Sequence, residues 1–550
     1  MLIIGLDGLT FKVINPLIRS GHLPNISNFF KQGITGELKS TLPPVSGTAW
    51  HAFKTGKNPG KTGVYDFMKY NPHTNKTRII HIAKVPGIKF WDIIEQYSES
   101  KLGIYNLPTT YPPSKINGFM VSGFPLADGT TDYTYPLKLK EELDDIVDGH
   151  KVDINYKDYE NYESFLGDLN TLLNQRLKVY QYLRDKYDPE FFIFTLTCTD
   201  RLQHFMWKYI SQENSLTNSH IKHYRTEVLN FWEHLDEILG EIINSVKKDT
   251  SIIILSDHGF GPQKEIFYIN QWLMSHGYLK IISNKVTQEP EGIKLKSKFK
   301  AIINNLINNK EIPKYLLKIS PNFIKEKLNK EISYNEILPH IDWKNTMAYT
   351  PPHTSIYGTI YLNLKGRESK GIVDRSVYET LRDELISELY SINNELNDFK
   401  IKVFKREDIY HGMHLKEAPD LVYIINDFRC IYRSSLCKGE FFKRKPLRSS
   451  YSGTHRMEGI FMAKGPHIKQ GSSVKRARII DIAPTILHLL NLPISIDMDG
   501  RVIKEIFYTN SNLAKRKVNL VKIERETESV EDIKFDDENI KKHLEDLGYL

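Results

Sequence analysis

Cysteine, long apolar runs and net charge are all scarce in this 550-residue sequence. The only cysteines are Cys198, Cys430 and Cys437. They are too few and too scattered for a disulfide framework or a cysteine-based zinc site, and the odd count fits a reducing compartment. No stretch approaches the ~20 apolar residues of a membrane helix, so no transmembrane segment is expected. In the opening MLIIGLDGLT the apolar run extends only from Leu2 to Leu6, too short for a signal-peptide core and without a basic leader or cleavage site. A cytoplasmic protein is the expectation. The formal charge is +8, and residues 280–330 hold twelve Lys, no Arg and four Glu. That local excess equals the whole-chain value, so the rest is neutral. A nucleic-acid partner, which would need a basic face along the molecule, is not expected.

What is present is ordinary in bulk and organised in detail. Hydrophobic residues make up 40% and charged residues 26%, as in a soluble globular chain with a large core. Residues 2–6 read as a buried strand, and PLIRSGHLPNISNFFKQG has helical apolar spacing closed by Gly33. A helix is expected near Ala49–Thr55, another in KFWDIIEQY and a long one over Tyr162–Tyr187. Two continuous apolar strands, EFFIFTLTCTD and TSIIILSDHG, turn abruptly polar at their ends. Alternating helices and buried strands predict a doubly wound, mostly parallel α/β sheet with helices on both faces. The expected divisions are a catalytic core in two parts (1–280 and 346–510), an inserted Lys-rich cap (281–345), and a charged linker with a terminal helix (511–550). No internal repeat is visible.

Open α/β sheets bind ligands at the carboxyl ends of their strands, where Asp7, Asp200, Asp257 and His258 fall on this reading. TDRLQH puts Asp200 and His204 four apart at the start of a helix, so both can face one ion. GTHRMEG adds His455 before another strand. Each element alone has a bland reading as a cap, a turn or a surface pair; four segments offering Asp, Asp-His, Asp-His and His at one edge are hard to dismiss together. Mixed carboxylate and imidazole donors suit zinc, with manganese as the alternative, and six donors plus a hydroxyl divide between two divalent ions. The hydroxyl comes from TLPPVSGTAWHAFKTGKNPGKTGVYDF, residues 41–67, a bend rich in glycine and proline. Held there, it would be activated by an ion for attack on phosphorus.

The order Asp7, PPVSGTAWHAFKTGKNPGKTG, TDRLQH, SDHG and GTHRMEG resembles the alkaline phosphatase superfamily, and within it the type I phosphodiesterase and nucleotide pyrophosphatase group. The likeness extends from Leu2 to about Phe507, through APDLVY and RIIDIAPTILHLLNLP, and the closing LEDLGYL is also similar. The resemblance implies an alkaline-phosphatase-like fold with two metal ions. Asp7, Asp257 and His258, with the nucleophile, would hold one ion; Asp200, His204 and His455 would hold the other. The nucleophile it implies is Ser46, with Thr48 as the rival. The implied activity is hydrolysis of a small phosphorylated substrate, a phosphodiester or pyrophosphate of nucleotide, sugar-nucleotide or lipid type, through a phosphoseryl intermediate.

Three departures stand out. Phe67 replaces the asparagine that nucleotide pyrophosphatases place against a phosphate oxygen, Thr62 stands where relatives often have His, and no Cys-x-Pro-x-Arg type motif marks a sulfatase. A phosphomonoesterase or a phospho-group transferase would use the same donors. A non-catalytic binding protein is disfavoured because all six donors are intact. Lys294, Lys296, Lys298 and Lys300 form either an anion-attracting cap or a solvated face, and Trp207 and Phe205 either line a pocket or pack in the core.

Overall fold

Leu2–Leu6 is buried along its whole length, and an apolar strand with no solvent-facing side must have neighbours on both edges and cover on both faces. A computed structural model of the chain describes residues 1–154, 161–211, 219–282, 331–396, 398–437, 440–444, 451–524, 535–547 and 549. In it this strand is central to a ten-stranded sheet. Ile252–Leu255, Leu2–Leu6, Phe191–Leu196, Leu102–Leu107 and Gly118–Ser122 run parallel, side by side. Glu458–Lys464 lies antiparallel between Ile252–Leu255 and Ile34–Lys39, and Thr134–Tyr135 is antiparallel at the far side.

Successive side chains leave opposite faces of a strand, and the two faces feed separate cores. Leu2, Ile4, Leu6, Phe194 and Ile254 enter one, together with residues of the helices Tyr162–Tyr187 and Ser219–Ser245. Ile3, Ile193, Ile253 and Leu255 enter the other, with the helices Ser46–Thr55, Phe90–Tyr97 and Ile482–Leu489. The sheet is therefore doubly wound and mostly parallel, as the apolar runs predict. No helix among the described residues is long and apolar enough to cross a membrane.

Two expectations change. The apolar spacing before Gly33 belongs to two helices, Phe11–Arg19 and Pro24–Gln32. Gly21, at φ +83°, ends the first turn of chain between them, and Pro24 fits the start of the second because it needs no N–H there. The strands GTIYL and LVYII do not join the main sheet. Gly358–Leu362 and Leu421–Ile425 pair antiparallel with Ala348–Tyr349 and Ile401–Lys405 in a four-stranded sheet with its own core, covered by the helix Tyr378–Glu395. Tyr334, Ile337, Ile341 and Trp343, from the far end of the expected cap, enter that same core. The short amphipathic helices that the spacing of AIINNLINN and YLLKISPNFIKEKL predicts in the cap, and Lys294, Lys296, Lys298 and Lys300, lie outside the described residues.

Candidate metal centre

Three adjacent parallel strands carry the carboxylates, so their C-terminal ends share one edge. Asp7 directly follows Leu2–Leu6, and its N–H donates to Leu196 O at 3.0 Å. Asp257 and His258 follow Ile252–Leu255. Asp200 sits in the first turn of the helix Cys198–Ile210, which starts just past Phe191–Leu196, and His204 follows one turn later. His455 comes from Gly453–Arg456, which pairs antiparallel with Gly259–Pro262 so that His455 stands opposite Phe260. Ser46 is the first residue of Ser46–Thr55, a helix beginning three residues earlier than the spacing predicts. Its hydroxyl therefore stands at the positive end of a helix whose first N–H groups have no partner within it.

These seven side chains converge. Ser46 Oγ is 3.1 Å from His258 Nε2. His258 Nε2 is 3.4 Å from both Asp7 Oδ1 and Asp257 Oδ2. On the other side, Asp200 Oδ1 is 3.5 Å from His204 Nε2 and 3.4 Å from His455 Nε2, and those two nitrogens are 3.1 Å apart. Donors ~2.1 Å from a tetrahedral ion stand roughly 3.4 Å from one another, which is the spacing of both groups. Asp200 Oδ1 is also 3.9 Å from His258 Nε2, so the two groups adjoin. Thr48 Oγ1 is buried without a hydrogen-bond partner and joins neither group.

Each donor is aimed by a contact on its far side. His455 Nδ1 donates to Pro44 O at 2.7 Å, His258 Nδ1 to Gly259 O at 3.1 Å, and His204 Nδ1 faces Gly453 O at 3.3 Å. A carbonyl can only accept, so these bonds put the proton on Nδ1 and leave the Nε2 lone pair facing the centre. The carboxylates follow the same rule. Trp50 Nε1 donates to Asp7 Oδ2 at 3.0 Å, Gly8 N to Asp257 Oδ1 at 3.3 Å, and Arg201 to Asp200 Oδ2. Asp7 Oδ1, Asp257 Oδ2 and Asp200 Oδ1 are buried with no hydrogen-bond partner. Three orphaned carboxylate oxygens and three Nε2 lone pairs facing one another fit a pair of divalent ions.

The electrostatics point the same way. Burial, reinforced by Asp200, pushes the Asp7 carboxyl up to about 7. Burial and the neighbouring Asp7 raise Asp257 well above the usual carboxylate range. Burial also opposes ionisation of Asp200, but His204 and the Arg201 guanidinium outweigh it and hold that carboxyl low. Burial lowers His204 to about 3 despite Asp200 beside it, and burial together with His455 lowers His258 well below its ordinary value. Protonation of His204 and His258 is thus disfavoured, and Asp7 and Asp257 lack the positive charge a cation would supply.

Two contributors lie inside the motifs TDRLQH and LEDLGYL, with no role predicted for either. Arg201, fully buried, bridges Asp200 and Asp153 and lies over the Phe124 ring; its only sequence signal is its place after Asp200. Tyr549, in the closing LEDLGYL after the helix Asp537–Asp546, reaches Ser46 from 503 residues away; the motif marks the segment, but nothing in it tells that the phenol meets the serine. Phe67 lies beside the helix Ser46–Thr55: a Cβ on Gly47 would meet its Cε1 at 2.8 Å, so glycine is required there. Thr62 is a buried bend residue bonded to Pro59 O at 3.3 Å. Trp207 stacks on Phe260 within the first core, and Phe205 packs against Tyr451.

Among curated proteins, no sequence matches the chain. Among solved structures, an inactive murine ectonucleotide pyrophosphatase/phosphodiesterase 5 in complex with AMP is 12% identical, with 90% of this chain and 95% of that one covered and a TM-score of 0.47. The human protein of the same name is 12% identical, covering 93% of this chain and 100% of that one, with a TM-score of 0.45. Phosphonoacetate hydrolase from Sinorhizobium meliloti 1021 in complex with phosphonoacetate is 13% identical over 88% of this chain and 93% of that one, with a TM-score of 0.48. Residues 1–446 match the sequence profile of the type I phosphodiesterase / nucleotide pyrophosphatase family, a span that includes Asp7, Ser46, Asp200, His204, Asp257 and His258. The chain belongs to that family, and it is a phosphoric ester hydrolase of the phosphodiesterase/pyrophosphatase type.

Proposed function

We propose that the chain cleaves phosphodiester or pyrophosphate bonds of a small substrate by two in-line displacements at phosphorus, with Ser46 as the nucleophile and two zinc ions as cofactors. The observation that carries this reading is Ser46 Oγ at a helix N-terminus, 3.1 Å from His258 Nε2, the nitrogen that stands 3.4 Å from the orphaned oxygens of both Asp7 and Asp257. Asp7, Asp257 and His258 would hold one ion with Ser46; Asp200, His204 and His455 would hold the other. When bound, the ions supply Lewis-acid stabilisation of charge on the reacting oxygens. Zinc is favoured because imidazole is a borderline-soft donor, and carboxylates leave manganese as the alternative.

In the first displacement Ser46 gives up its proton and the Oγ–phosphorus bond forms as the bond to the leaving oxygen breaks, its electron pair passing to that oxygen, which departs as an oxyanion or takes up a proton. In the second, a water oxygen replaces Oγ, so configuration at phosphorus is retained overall. The first-turn N–H groups of Ser46–Thr55, beside the nucleophile, would be available to a phosphoryl oxygen. The Nδ1–carbonyl bonds hold the three imidazoles in place throughout, and the closed surroundings, with Ser46 and His258 both at 0% exposure, keep bulk water from the reacting atoms.

The test is metal analysis followed by hydrolysis of bis(p-nitrophenyl) phosphate and p-nitrophenyl phosphate. We expect about two ions per chain and faster cleavage of the diester. Ser46→Ala should lose at least ~10³-fold in kcat with its metal retained, while Thr48→Ala stays within about threefold of wild type. An active Ser46→Ala protein beside an inactive Thr48→Ala protein would overturn the nucleophile assignment; monoester preference would move the reaction to a phosphatase.

A further inference from the structure

The chain folds back on its own nucleophile. After the helix Asp537–Asp546, Tyr549 places its phenol oxygen 3.1 Å from Ser46 Oγ. The placement is anchored at several points. Tyr549 N donates to Leu544 O at 3.0 Å, and Ser355 N donates to Tyr549 O at 2.7 Å. Leu544 and Leu547 are completely buried in the first core. The phenol ring meets Phe67 edge-on at 5.4 Å and stacks on Phe124 at 5.8 Å, and His455 and His204 lie 5.6 and 5.9 Å away. Tyr549 itself is 1% exposed. Packing explains the ring, but it does not explain a hydroxyl aimed at the serine.

The direction of that hydrogen bond follows from the neighbouring imidazole. His258 Nδ1 donates to Gly259 O, so in the neutral ring Nε2 carries a lone pair and can only accept. The serine hydroxyl, 3.1 Å away, therefore gives its proton towards His258 Nε2. Ser46 Oγ is left as the acceptor for Tyr549. An ionised Ser46 can only accept as well, so the phenol donates in both states.

We propose that Tyr549 is a further catalytic residue, whose phenol O–H donates to Ser46 Oγ and speeds the second displacement by stabilising the serine oxygen as it leaves. This inference rests on the covalent reading above. In the second displacement the phosphorus–Oγ bond breaks with its electron pair passing to Oγ, while the water oxygen bonds to phosphorus. The phenol keeps its proton and strengthens its hydrogen bond as charge gathers on Oγ; the water gives up a proton, and the serine ends protonated. In the first displacement charge leaves Oγ instead, so the same bond offers the forward attack no equivalent advantage. A donor that acts when charge arrives favours breakdown of the intermediate over its formation.

Tyr549→Phe removes the donor and keeps the ring between Phe67 and Phe124. With bis(p-nitrophenyl) phosphate under pre-steady-state conditions, the variant should release about one nitrophenolate per active site in a burst and then turn over slowly. Its kcat should fall roughly ten- to hundredfold, with KM falling in parallel and kcat/KM within about threefold of wild type. Mass spectrometry after acid quenching should find the p-nitrophenylphosphoryl group on Ser46 accumulated in the variant. Unchanged kcat overturns the proposal, and so does a parallel loss of kcat and kcat/KM without a burst or with lost metal, which marks a structural role. Ser46→Ala separates the two readings. If it is inactive while Tyr549→Phe behaves as wild type, only the tyrosine proposal fails; if Ser46→Ala turns over, the covalent reading fails first.

Discussion

Asp257 in the proposed metal centre and Asp420 in the second sheet are both completely withdrawn from solvent, yet their surroundings differ in kind. Both oxygens of Asp420 are saturated. Arg367 Nη1 at 2.8 Å and Tyr378 OH at 2.6 Å donate to Oδ1, while Arg367 Nη2 at 2.6 Å and Leu362 N at 2.7 Å donate to Oδ2. Arg406 stands 3.2 Å away. Burial opposes its ionisation, but Arg367 outweighs burial and holds the carboxyl below its ordinary range. Asp257 has one long bond from Gly8 N, an orphaned Oδ2, and Asp7 as a neighbour of like charge. A buried carboxylate that meets all its partners ties strands to a helix; one that lacks them is kept open for something the chain does not supply.

The sharpest way to break this contrast is to neutralise each acid in turn. Asp257→Asn should abolish most diesterase activity, at least ~10³-fold, while making the metal-free protein more stable, because it removes an unpaired buried charge. Thermal unfolding in chelator beside the activity assay checks both halves; a metal-free protein that is destabilised would show that Asp257 is structural. Asp420→Asn should do the reverse. Removing the charge that faces both Arg367 and Arg406, with Glu368 still paired to Arg367, should cost about 3 kcal/mol of stability, with kcat per folded molecule unchanged within about twofold.

A smaller effect should appear as a pH dependence. The folded protein holds Asp7 at about 7, above the ordinary carboxylate value of 3.8. Its contribution to metal-free stability is then fully present below the unfolded value and is lost as pH rises through the folded one, between about pH 4 and 7. Asp420, depressed when folded, contributes in the opposite sense: its stabilisation is present above the unfolded value and is lost as pH falls. Chelator-treated wild type should therefore melt at lower temperature at pH 8 than at pH 5, and Asp7→Asn should flatten the difference. A metal-free protein whose melting temperature climbs steadily from pH 5 to 8 would remove the distinction between the two clusters.

Much of the site is visible in the sequence for a specific reason. Strands of a parallel sheet are nearly unbroken apolar runs, so the polar residues at their ends, Asp7, Asp200, Asp257 and His258, stand out sharply. The glycine-rich bend is equally conspicuous, although the start of the helix at Ser46 is hidden because Ser, Gly and Thr are weak helix formers. Sheet membership was not legible. Gly358–Leu362 and Glu458–Lys464 are both apolar strands, but one pairs with Leu421–Ile425 and the other with Ile252–Leu255, and neither carries a local mark of its partner.

The sequence by itself determined the elements and the chemical types: continuous apolar strands with both faces buried, helices between them, and aspartates and histidines at the strand ends. It did so because backbone periodicity and side-chain polarity act within a few residues. Only the tertiary structure decided which donors adjoin, which carboxylate oxygens remain orphaned, which ring nitrogen faces the centre, and that Tyr549 meets Ser46. His258 lies 212 residues from Ser46, His455 lies 251 from His204, and Tyr549 lies 503 from Ser46. Across such separations proximity is set by the packing of two cores around one sheet, and no spacing along the chain records it.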